Sequence, residues 1–351
     1  TQSDIGPVFL VFIGICLVYA VVLLALRSPV LEAAATPSKR SIYDPLGREF
    51  SVLLQNVLFT VFAFTVLLGT LFPLIAEALD GRRVSVGAPY FERWALPLGV
   101  AIVFFMGVGP ALPWGRLAAR RVSIRLGAPI LFALALTAMV AVLGIQKPFT
   151  LLSLFVCAFA LYTNGFEFLY PMWVRIRSHG ENPALAFWRA FGRTRRRFGA
   201  HISHFGIVMA VVAIALSKGY KEEHDVMLRP NESAQIGRYE VVFQGPRTER
   251  QPNRTSEIAV FAADRSGRAI NNQEPRLNRY RTMLEPIGSP SIHTNPVDDL
   301  YLSLLELPLS GEYVNVRLMT LPAVIWLWIS GLVISLGTVL VLWGSKRGGQ
   351  R

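Results

Sequence analysis

Seven long apolar stretches alternate with polar connections along the chain. They cover about residues 7–26, 52–75, 95–113, 128–146, 149–170, 200–217 and 321–343. Each is long enough to cross the hydrocarbon core of a bilayer as one helix, and a soluble domain would not repeat such runs almost without charge. The pattern therefore predicts a polytopic α-helical membrane protein with about seven transmembrane helices.

Residues 218–320 follow a different pattern. Their short segments alternate apolar and polar residues between Gly- and Pro-containing turns: YEVVFQGP, SEIAVFAADRSGRAI, DLYLSLLEL and EYVNVRL. A period of two is typical of half-buried antiparallel strands. We expect YEVVFQGP to end in a turn at Gly245 and Pro246, and SEIAVFAADRSGRAI to reverse at a second turn, Asp264–Gly267. The chain is thus divided into a six-span bundle (1–217), a small β-rich domain (218–320), and a last span with a basic tail (321–351).

The net charge of +12 is distributed unevenly between the two sides of the predicted bundle. The alternate segments 27–48, 114–126, 174–199 and 344–351 carry 18 Lys and Arg but three acids, whereas 218–320 carries 13 basic and 14 acidic residues. Basic connections face the cytoplasm. We therefore expect a bacterial inner-membrane protein with a periplasmic β-rich domain and a cytoplasmic C-terminus, and no nucleic-acid binding.

Composition narrows the chemistry further. Apolar residues make up 52% of the chain, and its mean hydropathy is +0.43. Cys16 and Cys157 lie singly in apolar runs, which argues against a disulfide or thiol-redox role. The chain has no Walker loop, GxSxG or HExxH motif. Since Thr1 is preceded by no initiator Met, we expect the numbering to start inside a longer polypeptide or after processing.

The sixth span carries the chain's most informative polar residues. A basic run leads into AHISHFGIVMAVVAIAL, where His201 and His204 are three residues apart and so share one face of a helix. Histidine within a span is a functional hypothesis that requires a partner. One interpretation is a hydrogen bond to a neighbouring helix, and the other is a metal ligand, with haem iron as the metal. A second axial ligand would have to come from elsewhere, because no other span contains a histidine.

The connection after the second span is rich in aromatic residues. We expect Pro73 to end that span, and Gly87–Pro89 to form a turn that carries Tyr90, Phe91 and Trp94. Aromatic residues at this depth are typical of an interfacial belt.

The alternative for this connection is an aromatic ledge beside a porphyrin or a quinone. Tyr90 would belong to the ledge, and Arg82 and Arg83 would be available to bind propionates.

Several segments together resemble a known family. NVLFTVFAFTVLLGTLFPLI, VSVGAPYF and SHFGIVMAVVAIALSKGYKEEHDVML follow in order, and the chain from end to end resembles the second half of cytochrome c maturation protein F. That family comprises the System I membrane haem lyases and their nitrite-reductase-associated relatives. The resemblance implies that His204 is an axial ligand of a transmembrane haem b, with Ser203 in place of the family's usual Ala. The family's tryptophan-rich WWD segment is absent from this chain.

The resemblance also implies a function. The complete protein would take haem from its carrier and attach it to apocytochrome c, with thiol-handling chaperones as further partners. Its haem b, reduced by quinol, would reduce the carrier's haem iron. The partner chain would be the N-terminal half that bears the WWD segment and supplies the second haem ligand. The alternative is a non-catalytic membrane scaffold or docking subunit of a cytochrome assembly complex, and transport ranks third.

Overall fold

The computed structural model describes residues 5–34, 47–81, 84–112, 119–281, 283, 285–308 and 310–343. The helices are α1 (Ile5–Ala34), α2 (Arg48–Asp80), α3 (Ala88–Ala111), α4 (Ala119–Val142), α5 (Pro148–His179), α6 (Pro183–Arg193), α7 (Arg195–Gly219) and α8 (Val324–Leu342). Within these ranges, seven helices are long and apolar enough to cross a membrane, all but α6. The prediction of a seven-span membrane protein with a β-rich domain before the last helix is confirmed.

Two predicted breaks near the second connection were wrong. α2 continues past Pro73 to Asp80, and it ends at Gly81, whose φ of 65° is left-handed and whose N–H donates to the Glu77 carbonyl. Gly87–Pro89 do not form a separate turn: Gly87 directly precedes α3, and Pro89 lies in the first turn of that helix. Proline is tolerated inside long apolar helices because neighbouring groups satisfy the freed carbonyl, and it is favoured at a helix start.

α6 lies in the basic connection 174–199, where the sequence pattern predicted no helix. It is short and amphipathic, and the Asn182 side-chain oxygen accepts a hydrogen bond from the Ala184 N–H at 3.0 Å. Pro183 occupies the first turn, where its missing N–H costs nothing. Ala186 and Ala190 are buried on one face, while Trp188 is exposed on the other. The helix thus joins the ends of two long apolar helices, α5 and α7.

The chain divides into two compact units. The first comprises Thr1–Met139 with Phe155–Val174, and the second comprises Val140–Leu154 with Arg175–Arg351. In the first unit, α3 and α5 approach closely at Gly107, where an added Cβ would lie 2.8 Å from the Phe159 ring. The rings of Phe104 and Phe159 stack with centroids 5.5 Å apart.

The second unit contains the β domain, which consists of two antiparallel sheets. Its strands are β1 (Glu222–Leu228), β2 (Ser233–Ile236), β3 (Tyr239–Arg250), β4 (Arg254–Arg265), β5 (Arg268–Gln273), β6 (Arg276–Tyr280), β7 (Ile287–Ser289), β8 (Ser291–His293), β9 (Asp298–Glu306) and β10 (Val314–Pro322). One sheet has the order β1-β10-β9-β8, and the other has the order β2-β3-β4-β6-β7, with β5 also paired to β4. Alternate residues of β3, β4, β9 and β10 fill the interior, as their period of two requires.

The expected turn at Gly245 and Pro246 is absent. β3 runs on to Arg250, and its pairing with β4 shifts register between Phe243 and Gly245. Gly245 has a φ of 142°, which suits a bulge that lets the strand continue past the proline. The second predicted turn is present, since β4 and β5 form a hairpin around Ser266 and Gly267.

Candidate functional site

His204 lies on α7, well inside the helix. At 1.5 Å per residue it is about 14 Å along the axis from Arg195 and about 22 Å from Gly219. The basic end of α7 bears Arg195, Arg196 and Arg197, which are exposed and suited to the water interface. The His204 imidazole therefore lies well inside the span, away from the basic end of α7.

One face of α7 packs closely against α8 through small residues. A Cβ on Gly206 would lie 2.6 Å from the Ile334 side chain, and one on Gly199 would lie 2.7 Å from the Gly337 carbonyl oxygen. The Ser203 hydroxyl donates to the Ile334 carbonyl at 3.2 Å. Gly199, Ser203 and Gly206 thus form a strip that allows the two backbones to approach each other.

The two histidines lie away from that strip. Positions 201 and 204 are displaced by roughly 100–160° around the helix from positions 199, 203 and 206, at 100° per residue. The ring centroids of His201 and His204 are 6.0 Å apart and nearly perpendicular. His201 is buried, with 7% of its surface exposed, whereas His204 is only partly buried. α8 therefore fixes α7 from one side and leaves His204 on another side.

The surroundings of His204 suit a flat apolar ligand that binds through a metal. Apart from His201, the neighbouring positions on its face are Ala200, Ile207, Val208 and Val211, which are apolar and add no competing charge. A haem iron takes one axial ligand from each side, so a single imidazole on an apolar wall is a sufficient contribution from one helix. The donor chemistry of this face therefore fits a haem.

The other histidines lie outside this face. His179 is in the last turn of α5, His224 is on β1, and His293 is on β8. Among the residues that the structure describes, no group of three or more His, Cys, Asp or Glu side chains could hold a metal ion. His204 is thus the candidate ligand that the helical region offers, with His201 as its buried neighbour.

The start of α7 is held against α6 by an aromatic cluster. Phe198 is buried, and its ring lies 5.9 Å from that of Phe187 and 5.7 Å from that of Phe191, both on α6.

An ionic clasp between α5 and α6 is centred on the Glu181 carboxylate. It accepts two hydrogen bonds from Arg175, at 2.6 and 2.8 Å, and one from Arg189 at 2.6 Å. These bonds, above all those from Arg175, lower the pKa of Glu181 to about 2. The clasp ties the end of α5 to α6, and sequence reasoning, which counted Glu181 only as a rare acid in a basic loop, missed it.

The β domain is connected to α8 by a polar junction. The Tyr239 hydroxyl donates to Asp298 at 2.8 Å and accepts from the Asn295 amide at 2.5 Å, while Arg265 contacts the same Asp298 oxygen at 3.1 Å. Beyond this network, the Trp326 indole N–H of α8 donates to the Pro296 carbonyl at 2.9 Å. The loop between β8 and β9 therefore sits against the first turn of α8.

Tyr90 has a packing role in the first unit. Its hydroxyl donates to the Thr65 carbonyl of α2 at 3.0 Å. Its ring lies against Gly69, where an added Cβ would be 2.6 Å away. Tyr90 and Trp94 also line an open groove of about 480 Å³ with residues of α2. Arg82 and Arg83, proposed as propionate ligands, lie outside the described residues.

Comparisons with known proteins identify relatives along most of the chain. Residues 219–322 match the family described as the CcmF C-terminal beta-sandwich. The cytochrome c-type biogenesis protein CcmF of Pseudomonas aeruginosa is 30% identical over 97% of this chain and 50% of its own length. The protein of the same name from Escherichia coli is 28% identical over 86% of this chain and 44% of its own length.

A solved structure shows the same relationship. The chain matches a structure titled Cytochrome c Heme Lyase CcmF with a TM-score of 0.65 and 28% identity, over 86% of this chain and 46% of that one. The chain spans about half the length of the curated relatives it matches. The resemblance inferred from the motifs is confirmed: the chain is similar to the C-terminal half of CcmF-type proteins.

Proposed function

We propose that this chain forms part of a membrane haem lyase that attaches haem to apocytochrome c during cytochrome c maturation. Its similarity to the C-terminal half of CcmF-type proteins supports this function. The observation that carries the proposal is the position of His204, partly buried on an apolar face of α7 and turned away from α8.

In this proposal, His204 supplies one axial ligand of a transmembrane haem b, through an imidazole nitrogen. When bound, such a haem relays single electrons, and here it would pass reducing equivalents from quinol to the carrier's haem iron. The residues of this chain hold the ligand in place. The strip of Gly199, Ser203 and Gly206 fixes α7 against α8, and the apolar neighbours of His204 exclude water from the ring face.

The remaining parts of the proposal concern topology and partners. The basic ends of the helices favour a cytoplasmic position, which would put the β domain in the periplasm and the C-terminus in the cytoplasm. The β domain would there contact the haem carrier or apocytochrome c and its thiol-handling chaperones. The second haem ligand and the WWD segment would come from an N-terminal half of the lyase that lies outside this chain. Tyr90, Arg82 and Arg83 remain candidates for contacts with a haem or a quinone.

The test is a reduced-minus-oxidised absorption spectrum of the complex purified from its native membrane in mild detergent. We expect a b-type signal in the wild type and its loss in His204→Ala. His201→Ala is the matched control, because it removes an imidazole from the same helix and should retain the signal. A signal that persists in His204→Ala would contradict the ligand assignment. A wild type without haem and without a WWD-bearing partner would favour the scaffold function.

A further inference from the structure

A cavity in the first unit shares no residue with the α7 face that bears His204 and is not used by the proposed function. It is formed by the end of α3, the first turns of α4 and the second half of α5, with a volume of about 450 Å³. This volume falls within the range of small-molecule sites, roughly 300–1,000 Å³. Its wall combines apolar and aromatic surface with two charged side chains of opposite sign, Arg125 of α4 and Glu167 of α5.

The cavity lies at the water interface of the bundle. Arg120 and Arg125 occur in the first turns of α4 and are exposed, and Arg177 occurs in the last turn of α5. Arginine at the centre of a bilayer is costly, so these helix ends belong at the level of the lipid head groups. A ligand entering from the side would therefore meet the cavity at the depth where lipid phosphates and amines lie.

The polar groups of the wall are complementary to a zwitterion. Arg125 offers a planar guanidinium fork, which binds phosphate in a bidentate manner. Glu167 offers a carboxylate that accepts hydrogen bonds from an ammonium group, and the phenol groups of Tyr162 and Tyr170 offer further hydrogen bonds. The Phe166 ring adds apolar surface, which suits the start of an acyl chain.

We propose that this cavity binds the head group of a phospholipid with a primary amine, with Arg125 on the phosphate and Glu167 on the ammonium group. A neutral ring such as a quinone would match neither of the two opposite charges. A lipid with an anionic head group would bring negative charge towards Glu167. The inference is independent of haem binding, because no residue of the cavity contributes to the face that bears His204.

The test uses the full chain, delipidated in mild detergent and titrated with dioleoyl phospholipids in mixed micelles, with bound lipid measured by native mass spectrometry. We expect the phosphatidylethanolamine lipid to bind about tenfold more tightly than its phosphatidylcholine and phosphatidylglycerol counterparts, since hydrogen bonds to charged groups are strong. Equal binding of the three lipids would overturn the proposal.

Variants of Arg125 and Glu167 test which group of the lipid each side chain binds. Arg125→Gln should weaken phosphatidylethanolamine binding about tenfold, and Glu167→Gln should abolish the preference over phosphatidylcholine. Arg120→Gln is the matched control, because Arg120 lies on the same helix but does not line the cavity. Unchanged binding in Arg125→Gln, or weakening by the control of the same size, would overturn the assignment.

Two further measurements exclude other sources of the same chemistry. Ala128→Phe adds volume to the cavity wall without changing charge and should reduce lipid binding, whereas retained binding would place the lipid elsewhere. Inorganic phosphate should not displace the lipid. Displacement by phosphate, or tight binding of ubiquinone-1 that is unaffected by Arg125→Gln, would assign the cavity to a different ligand and overturn the proposal.

Discussion

In the β domain, the interior is filled by large side chains. Phe243 and Phe261 have no exposed surface, and their ring centroids are 5.4 Å apart. Between α7 and α8, by contrast, close contact depends on the absence of side chains: an added Cβ on Gly337 would lie 2.5 Å from the Ser203 nitrogen and 2.7 Å from the Gly199 carbonyl oxygen. The β domain is stabilised by large buried side chains, whereas the α7–α8 contact is stabilised by small residues that let the two backbones approach.

The difference reflects the solvent that each region faces. A β domain in water gains free energy when large apolar side chains leave water. Helices in a bilayer gain little by that route, because lipid is as apolar as leucine, and they associate through close van der Waals packing and interhelical hydrogen bonds such as that from Ser203 to Ile334. Apolar residues of α8 such as Leu332 and Leu336 accordingly point outward, with more than 60% of their surface exposed.

Removing volume from the β domain should produce the largest loss of stability. Phe261→Ala leaves a cavity at a fully buried position and should lower the free energy of unfolding by about 3–5 kcal/mol. Hydrogen exchange of the β3 and β4 amides in the full chain measures the loss locally. Ile292→Ala, at a position with 53% of its surface exposed, is the control and should change little. Equal protection in the two variants would show that volume does not hold this domain.

Adding a side chain between α7 and α8 should also lower stability, but by less than removing one from the β domain. Gly337→Val forces α8 away from α7 and should cost about 1–3 kcal/mol, visible as a lower thermal unfolding temperature in mild detergent. Gly331→Val makes the same change on the same helix, at a position where nothing lies within 4 Å. If both variants unfolded at the same temperature, the glycine contact would not be a source of stability.

The junction between the two regions should respond to alkaline pH. Burial, together with the Asp298 carboxylate, raises the pKa of Tyr239 to about 12. In the unfolded chain a phenol ionises at about pH 10. Between about pH 10 and about pH 12, the Tyr239 phenol keeps its proton in the folded state but loses it in the unfolded chain. The free energy of unfolding should therefore fall as the pH rises through this range.

Tyr239→Phe tests this junction directly. It should lose about 1–2 kcal/mol at neutral pH, since two hydrogen bonds are removed. Its stability, measured by thermal unfolding, should then depend less on pH above about 10 than that of the wild type. Identical alkaline profiles for the two proteins would mean that Tyr239 does not link stability to pH.

The smallest expected effect concerns the clasp at the start of α6. The pKa of Glu181, lowered to about 2, lies below the value of about 4.3 for an unfolded glutamate. The stability that the carboxylate contributes is therefore complete above about pH 4.3 and is lost as pH falls towards 2. Protease protection of α6 in the wild type should decline over that range, whereas Glu181→Gln should show weaker protection with a flatter profile. A decline of the same steepness in the variant would assign the acid response to other groups.

Local sequence patterns were sufficient to predict much of this fold, but not where some helices and strands end or where the short helix α6 forms. The seven spans and the hairpin of β4 and β5 followed from apolar length and a period of two. Pro73 and Pro246 were misread as breaks, because the sequence does not show whether a neighbouring group or a bulge accommodates the proline. α6 was missed because eleven residues with one apolar face fall below the length that identifies a span.

The sequence by itself determined that the chain has seven membrane-spanning helices, a β-rich domain before the last of them, and an imidazole within α7. These are properties of segments, set by hydrocarbon thickness and side-chain periodicity. Only the tertiary structure decided that α7 packs on α8 through Gly199, Gly206 and Gly337, and that His204 lies away from that contact. Those facts depend on which backbone segments, distant in sequence, pack against each other. A local sequence pattern does not show which segments these are.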